Sequence, residues 1–437
     1  MASKGRSILL FVLGWLFLPS SVSAAEYPGL KVVDYQTGQP ILNAKVTLNN
    51  QVLLADSQNR FPLTKAEGTV RVRAHGYQRL EQTLPPSFHA SPFTVRLVPQ
   101  NPKALYLSFY GIGERALREP ALKLIEETEL NSLVIDVKGD RGWIPYKSSI
   151  PLAVEVGAAK ITTIRDMPGL IRSLKERGIY TIARIVVFKD HPLATARPEW
   201  AVKTEGGEIW KDRENLAWVD PFRKEVWEYN IQVAVEAAQQ GFDEIQFDYV
   251  RFPDSSSPRF SRPSTEENRV KAVSGFLREA YNSLLPHNVF VAADIFGYVC
   301  WNQNDTNIGQ KLEALVNHVD YLSPMLYPSG YQFGIPGYRN PVANPHEIVY
   351  LSLKKAQERT NLPSIRFRPW LQSFRDYAFD RRVFNGKEIR EQISAADKFG
   401  SQGWMLWNPG NVYSLEALKN EKPPTRITGL APVPESL

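Results

Sequence analysis

From Lys103 to the end of the chain the sequence repeats one pattern. A short run rich in β-branched and aromatic residues is followed by a longer stretch of helical period. The predicted strands are 104–110, 132–139, 180–188, 244–250, 289–296, 319–327, 365–374 and 403–408, separated by eight helical stretches. Helix starts are signalled by Asp220 with Pro221 and by Asn344 with Pro345, each a capping side chain followed by a proline whose missing N–H costs nothing at the first helical position. Gly178 and Gly241 supply the stops before the third and fourth strands. Parallel strands cannot be joined by tight hairpins and need crossovers of this length. Eight such units predict an α/β fold closed into a (β/α)8 barrel over 103–420, rather than an open doubly wound sheet.

The part before the barrel has another texture. Over 26–99, short β-branched runs alternate with turn signals at "TGQP", "DSQNR" and "AEG", and no useful helical period appears, which predicts a small all-β sandwich. Ahead of it, Lys4 and Arg6 precede an apolar run from Ile8 to Leu18, and Val22 and Ala24 are the small residues of a cleavage site. Residues 1–24 therefore read as a signal peptide, which predicts export to the periplasm or beyond, with no membrane span after cleavage. The tail 421–437 is Pro-rich. The net charge is +6, with both signs interspersed, too weak and too mixed to argue for nucleic acid. Cys300 is the only cysteine, so no intrachain disulfide is available.

A TIM barrel carries its active site at the carboxyl ends of its strands. Applied strand by strand, that rule collects Asp136 and Lys138 from the second strand, Arg184 from the third, and Asp248 from the fourth with Arg251 just beyond. The fifth gives Asp294, the sixth Met325 and Tyr327, the seventh Arg368, Trp370 and Gln372, and the eighth Trp407 and Asn408. For any one pair the bland reading is a salt-bridged barrel layer, Arg184 neutralising Asp248 and Lys138 neutralising Asp136. Three aspartates ringed by Tyr327, Trp370 and Trp407 ask for more, because buried charges are costly unless paired or used. Two carboxyls across an aromatic-walled cleft are what hydrolysis of a glycosidic bond requires. The long loops after the third and sixth strands add Trp200, Trp210, Trp218, Tyr331, Phe333 and Tyr338, either to extend such a groove or to pack the loops themselves.

Competing chemistries find less support. "GIGERA" at 111–116 has the G-x-G-x-x-A form of a dinucleotide loop, with Asp136 at the end of the following strand. Lys138 on the same face as Asp136 and the regularity of the other strands speak against it. The six histidines are scattered with no i, i+4 pair, so neither a metal site nor a cofactor is expected. No G-x-S-x-G elbow occurs.

Several segments carry a family resemblance. "ARIVVFKD" (183–190), "RPEWAVK" (197–203), "WVDP" (218–221), the run from Glu225 to Pro253 and "ADIFGY" (293–298) resemble a glycoside-hydrolase-like family of exported bacterial proteins. The resemblance covers most of 103–415. It implies a barrel fold and glycosidic-bond hydrolysis, with Asp248 as nucleophile and Asp294 as acid; related barrels carry Glu at the latter place. The strand-end reading, rather than the resemblance, predicts that Asp136, Lys138, Arg184, Arg251, Tyr327, Trp370, Gln372 and Trp407 hold a polysaccharide or oligosaccharide. Within 26–99, Asp34, Thr37–Ile41, Ala44, Val46, Leu48, Val72, Ala74, Gly76 and Tyr77 resemble the carboxypeptidase regulatory-like modules, which implies a non-catalytic accessory domain. A catalytically silent carbohydrate-binding barrel of the cell envelope would use the same aromatics.

Overall fold

A computed structural model of the protein describes residues 27–63, 67–84 and 93–419. The signal peptide expected at 1–24 and the tail at 421–437 lie outside the described residues. The first seven strands are β1 (Tyr27–Asp34), β2 (Lys45–Leu48), β3 (Gln51–Leu53), β4 (Arg60–Leu63), β5 (Thr69–Arg73), β6 (Leu80–Thr83) and β7 (Phe93–Leu97). They form a three-stranded sheet, β4-β1-β7, and a four-stranded sheet, β3-β2-β5-β6. The alternating apolar positions of the two sheets, Leu30, Val32, Val46, Val70, Val72 and Val95 among them, form one buried cluster. The "DYQTG" turn is fixed locally: Asp34 Oδ1 accepts the amides of Gln36 and Thr37.

The remaining strands are β8 (Lys103–Leu107), β9 (Ser132–Lys138), β10 (Tyr180–Val186), β11 (Glu244–Asp248), β12 (Phe290–Phe296), β13 (Tyr321–Met325), β14 (Trp370–Gln372) and β15 (Trp404–Trp407). All are parallel and close into a barrel. β9, β10 and β11 are buried at every position, as expected where the lumen covers one face and helices the other. The crossovers carry α1 (Phe109–Gly113), α2 (Arg115–Glu127), α3 (Pro151–Glu155), α4 (Met167–Glu176), α5 (His191–Ala196), α6 (Lys224–Gln239), α7 (Glu266–Leu284), α8 (Leu312–Leu315), α9 (Pro345–Thr360) and α10 (Gly386–Phe399). The chain is thus an α/β (β/α)8 TIM barrel preceded by a small all-β unit.

Several boundaries differ from those expected, each for a local reason. The first barrel strand stops at Leu107, because Ser108 caps α1 by accepting the Gly111 amide at 3.1 Å. The seventh shrinks to three residues: Pro369 cannot donate to the ladder, and Ser364–Arg366 form a 3-10 turn. Asp220 does not cap α6, which starts at Lys224; its carboxylate accepts the amides of Phe222 and Ser261 instead. Gly178 and Gly241 do end their helices, with φ of +75° and +105°. After β15 the described residues hold only a 3-10 turn, Leu415–Ala417, in place of an eighth helix.

The β unit sits against the amino-terminal end of the barrel. Asp243, Asn288 and Asp320 immediately precede barrel strands, and each meets a residue of the segment 72–80. Arg79 donates to Asp243 at 3.0 Å and to the Gly241 carbonyl at 3.0 Å. Asn288 donates to the Leu80 carbonyl at 3.2 Å, and the Gly76 amide donates to the Tyr321 hydroxyl at 3.2 Å. Asp320 faces Arg73 at 3.6 Å and His75 at 3.4 Å, and it accepts the Val291 amide at 3.0 Å. Burial opposes its charge, yet Arg73, His75 and the amide hold the Asp320 carboxyl well below the usual aspartate range. Its contribution to stability is therefore present above the unfolded aspartate value and lost as pH falls through the folded one. Asp320→Asn is expected to cost about 3–5 kcal/mol at neutral pH, the usual loss when one side of a buried pair is removed. Urea unfolding should show that gap narrowing as the pH is lowered.

Candidate active site

The register of three strands brings the polar groups to one level. Arg184 on β10 pairs with Asp136 on β9 and with Gln246 on β11. Phe247 pairs with Ala293, so Asp248 and Asp294 follow side by side on strands about 4.8 Å apart. Glu244, Gln246 and Asp248 all point into the lumen by the two-residue period. Glu244 bonds Arg368 at 2.5 Å and Tyr180 at 2.9 Å near the base, and Gln246 donates to Ser323 at 3.1 Å above it. Arg368, expected at the mouth, therefore belongs to the basal layer.

Arg184 is the hub of the upper layer. Its Nε and Nη2 donate to Asp248 Oδ2 at 2.9 and 2.6 Å, and its Nη1 to Asp136 Oδ1 at 2.7 Å. Nη2 also reaches Asp140 at 2.7 Å. Burial works against this charge, but Asp140, Asp248 and Asp136 hold Arg184 well above its ordinary value. The guanidinium lies over Trp407 at 4.9 Å, and Trp407 in turn stacks on Tyr106 at 4.0 Å. Tyr106 donates to Asp136 Oδ2 at 2.8 Å, as does the Phe109 amide at 3.1 Å. Burial pushes Asp136 up; Arg184 opposes that shift and Asp140 adds to it.

Asp294 is situated differently. Its Oδ1 accepts the Trp370 indole N–H at 2.8 Å, while its buried Oδ2 has no hydrogen-bond partner. Burial, then the negative charge of Asp248, pushes the Asp294 carboxyl well above the aspartate range, against the weaker pull of Trp370 and Arg184. Tyr327 stands in the field of both aspartates and is held in the phenol form by burial and by their charges.

The mouth thus gathers Asp136, Arg184, Asp248, Asp294, Tyr327, Trp370 and Trp407. Two expected ligands are displaced from it. A bulge between Arg184 and Ile185 inserts one residue in β9, so Lys138 pairs with Ile185 and turns with it toward the helix layer. There its buried amine bonds Asp190 at 2.5 Å, over the ring of Tyr229 on α6. It neutralises Asp190, not Asp136. Gln372 is buried and fully engaged: it donates to Ser329 Oγ and the Phe374 carbonyl and accepts the Ser329 amide, anchoring the loop after β13. Trp370 is buried too, so it is the donor to Asp294 rather than an open platform. Arg251 lies among Trp218, Tyr249 and Phe296 at 5.1, 4.9 and 4.5 Å, with a hydrogen bond to the Phe252 carbonyl.

Four residues of this neighbourhood escaped the strand rule: Asp140, Tyr106, Phe374 and Tyr377. Asp140 lies past the end of β9, where its only signal was a carboxylate two residues beyond Lys138. Phe374 and Tyr377, in the loop after β14, stack at 6.2 Å, and Phe374 meets Tyr327 edge-on at 5.4 Å. Tyr377 is half exposed, which makes this ridge an accessible aromatic wall. Of the loop aromatics, Trp218 and Tyr331 are buried and pack the loops. The dinucleotide reading fails on geometry: Gly111 and Gly113 lie within α1, and both oxygens of Asp136 are occupied. Among the described residues no group of three or more His, Cys, Asp or Glu side chains could hold a metal ion. Cys300 is buried, and burial pushes its thiol up to about 12.

A TIM barrel with clustered carboxylates at its carboxyl-terminal mouth belongs to the architectural class in which many glycoside hydrolases are found. The chain belongs to the family described as "Putative glycosyl hydrolase domain", whose sequence model matches residues 104–413. A hypothetical protein from Ruminiclostridium thermocellum ATCC 27405 is 37% identical over 44% of this chain and 96% of that one, with a TM-score of 0.39. The PgaB (BpsB) glycoside hydrolase domain from Bordetella bronchiseptica is 13% identical over 72% of this chain and 95% of that one, with a TM-score of 0.53. A beta-galactosidase from the psychrophilic Marinomonas ef1 is 11% identical over 72% of this chain and 58% of that one, with a TM-score of 0.52. At such identities the last two speak for the fold alone. No curated protein sequence matches the chain.

Arg184→Leu is expected to destabilise the barrel by about 3–5 kcal/mol, because it strands buried carboxylates without their counter-charge. The loss should shrink in acid, where the already raised Asp136 takes up a proton. Denaturant melts of both proteins across pH measure this directly.

Proposed function

We propose that the protein is an exported glycoside hydrolase that cleaves O-glycosidic bonds of a polysaccharide with two carboxyl groups. The observation that carries the reading is the contrast between neighbours at one level of the lumen. Asp248 is bound to a guanidinium, whereas Asp294 is buried, raised, and has one oxygen with no partner. In this reading a proton on Asp294 Oδ2, which meets no acceptor within the protein, passes to the glycosidic oxygen once substrate reaches the buried carboxyl, the role of a general acid. Asp248 then attacks the anomeric carbon or steadies the oxocarbenium ion, its position fixed by Arg184 and by the Tyr249 amide at 2.6 Å. Tyr327, Trp407 and the Phe374–Tyr377 ridge supply ring faces for sugars, and Asp136, Asp140 and Arg251 border them. The β unit, at the far end of the barrel, is an accessory with no part in the chemistry.

A second reading, a non-catalytic carbohydrate-binding barrel, draws on the same hub: Arg184 satisfies three carboxylates without any reaction. Assays of wild type and Asp248→Asn over a broad panel of polysaccharides separate the two. Cleavage by wild type, lost in Asp248→Asn with glycan binding kept, supports the enzyme; binding without cleavage by either protein favours the binder.

The pH profile tests Asp294. Because the acid must be protonated, activity is expected to fall as pH rises through its elevated value. Asp294→Asn should lower turnover by about 10²–10⁴-fold, the usual contribution of a general acid. Aryl glycosides with good leaving groups should lose least, since they need no proton. An unchanged alkaline limb in Asp294→Asn would assign that limb to another group.

A further inference from the structure

Beside the barrel mouth lies a cavity of about 540 Å³, between the segment after β9 and the long loop after β10. Its walls include Arg141, Trp143, Lys160, His191, Lys211 and Glu214. Glu214 already bonds Lys189 at 2.7 Å, so the carboxylate in the wall is spoken for. Arg141, Lys160 and Lys211 form no ion pair among the described residues; Arg141 lies over the Trp143 ring at 5.7 Å. In the smaller cavity beside α2 and α4, about 350 Å³, Arg118 and Arg177 are bonded to Glu119 and Glu126, Arg165 lies next to Asp166, and no aromatic ring lines the wall. Of these two cavities, the one by the mouth sets its unpaired cations around an aromatic ring.

Its histidine is set as a donor. His191 Nδ1 accepts the Ala217 amide at 3.2 Å, which leaves the proton of the neutral ring on Nε2. Burial, with Lys211 and Arg141 nearby, holds the imidazole below its ordinary value, while Asp190 and Asp212 pull the other way. The cavity also adjoins the site covalently: Arg141 lines it, and the preceding residue, Asp140, is bonded to Arg184. We propose that this cavity is a subsite for a sugar bearing a carboxylate, a uronic acid unit of the same glycan, with the ring against Trp143 and the carboxylate among Arg141, Lys160, Lys211 and His191. Cations lining one cleft favour such an anion through charge-assisted hydrogen bonds. The assignment rests on the proposed hydrolase reading only for what the sugar is joined to.

Calorimetry and NMR titration of the full chain with methyl glucuronide, methyl glucoside and glucose 6-sulfate test it. The glucuronide is expected to bind at least about tenfold more tightly than the glucoside and to raise the titration midpoint of the His191 ring. The exposed-site double variant Arg141→Gln/Lys211→Gln should lose that preference. Equal binding of glucuronide and glucoside, a preference that survives the double variant, or an unmoved His191 resonance overturns the proposal. Tighter binding of the sulfate ester overturns the choice of a carboxylate. Glucuronide binding by wild type and Asp248→Asn, with no glycan cleaved by either, would uphold the subsite and defeat the hydrolase reading; cleavage without glucuronide preference would do the reverse.

Discussion

Arg184 is buried at the top of the barrel lumen, and the arrangement of the mouth follows from where its charge goes. A guanidinium taken out of water costs several kcal/mol unless its five N–H donors are used. Here four hydrogen bonds are directed at carboxylates from β9, from the loop after β9, and from β11. The planar fork fixes those three acids relative to one another far better than an ammonium could. Trp407 and Tyr106 close over the fork, so it cannot swing into solvent.

The same placement creates an asymmetry. Asp294 lies one strand farther round and makes no ion pair with Arg184, so burial and the charge on Asp248 outweigh the weaker opposing pull of Trp370 and Arg184. Two aspartates at one level thereby differ in their surroundings, Asp248 bound to a cation and Asp294 buried and raised toward its protonated form. Carboxyls set in unlike surroundings are the basis of acid and base assignments in many enzymes. The indole of Trp370 works weakly against that shift by donating to Oδ1, but it leaves Oδ2 without a hydrogen-bond partner.

How far this was legible in the sequence depends on what each feature rests upon. The barrel was readable because eight strand-and-helix units carry their own periodicity and caps. Asp136, Arg184, Asp248 and Asp294 were readable because the two-residue period and the strand-end rule are enough to place them. Lys138 was misplaced because a single-residue bulge in β9 has no signal in composition, and it reverses the face of everything after it. Trp370 and Gln372 lie on the expected strand, but burial depth, which decides between platform and support, depends on loops that fold over them. Asp140 and the Phe374–Tyr377 ridge lie in loops, where position is set by tertiary packing rather than by period.

The end of β11 shows how the backbone serves this arrangement. Tyr249, directly after Asp248, has φ of +48°, a left-handed conformation that is unfavourable for a residue with a ring. Such strain, on the order of 1–3 kcal/mol, persists only where the surroundings impose it. Lys189 and Arg251 lie 5.1 and 4.9 Å from the centre of that ring, and the Tyr249 amide donates back to Asp248 Oδ1. An extended residue at this point would carry β11 onward. The left-handed turn instead ends the strand at Asp248 and leaves its two oxygens held from different sides, Oδ2 by Arg184 and Oδ1 by the backbone. A carboxylate restrained in this way has little freedom to rotate, and that is the pre-organisation on which the proposed attack by Asp248 on an anomeric carbon would draw.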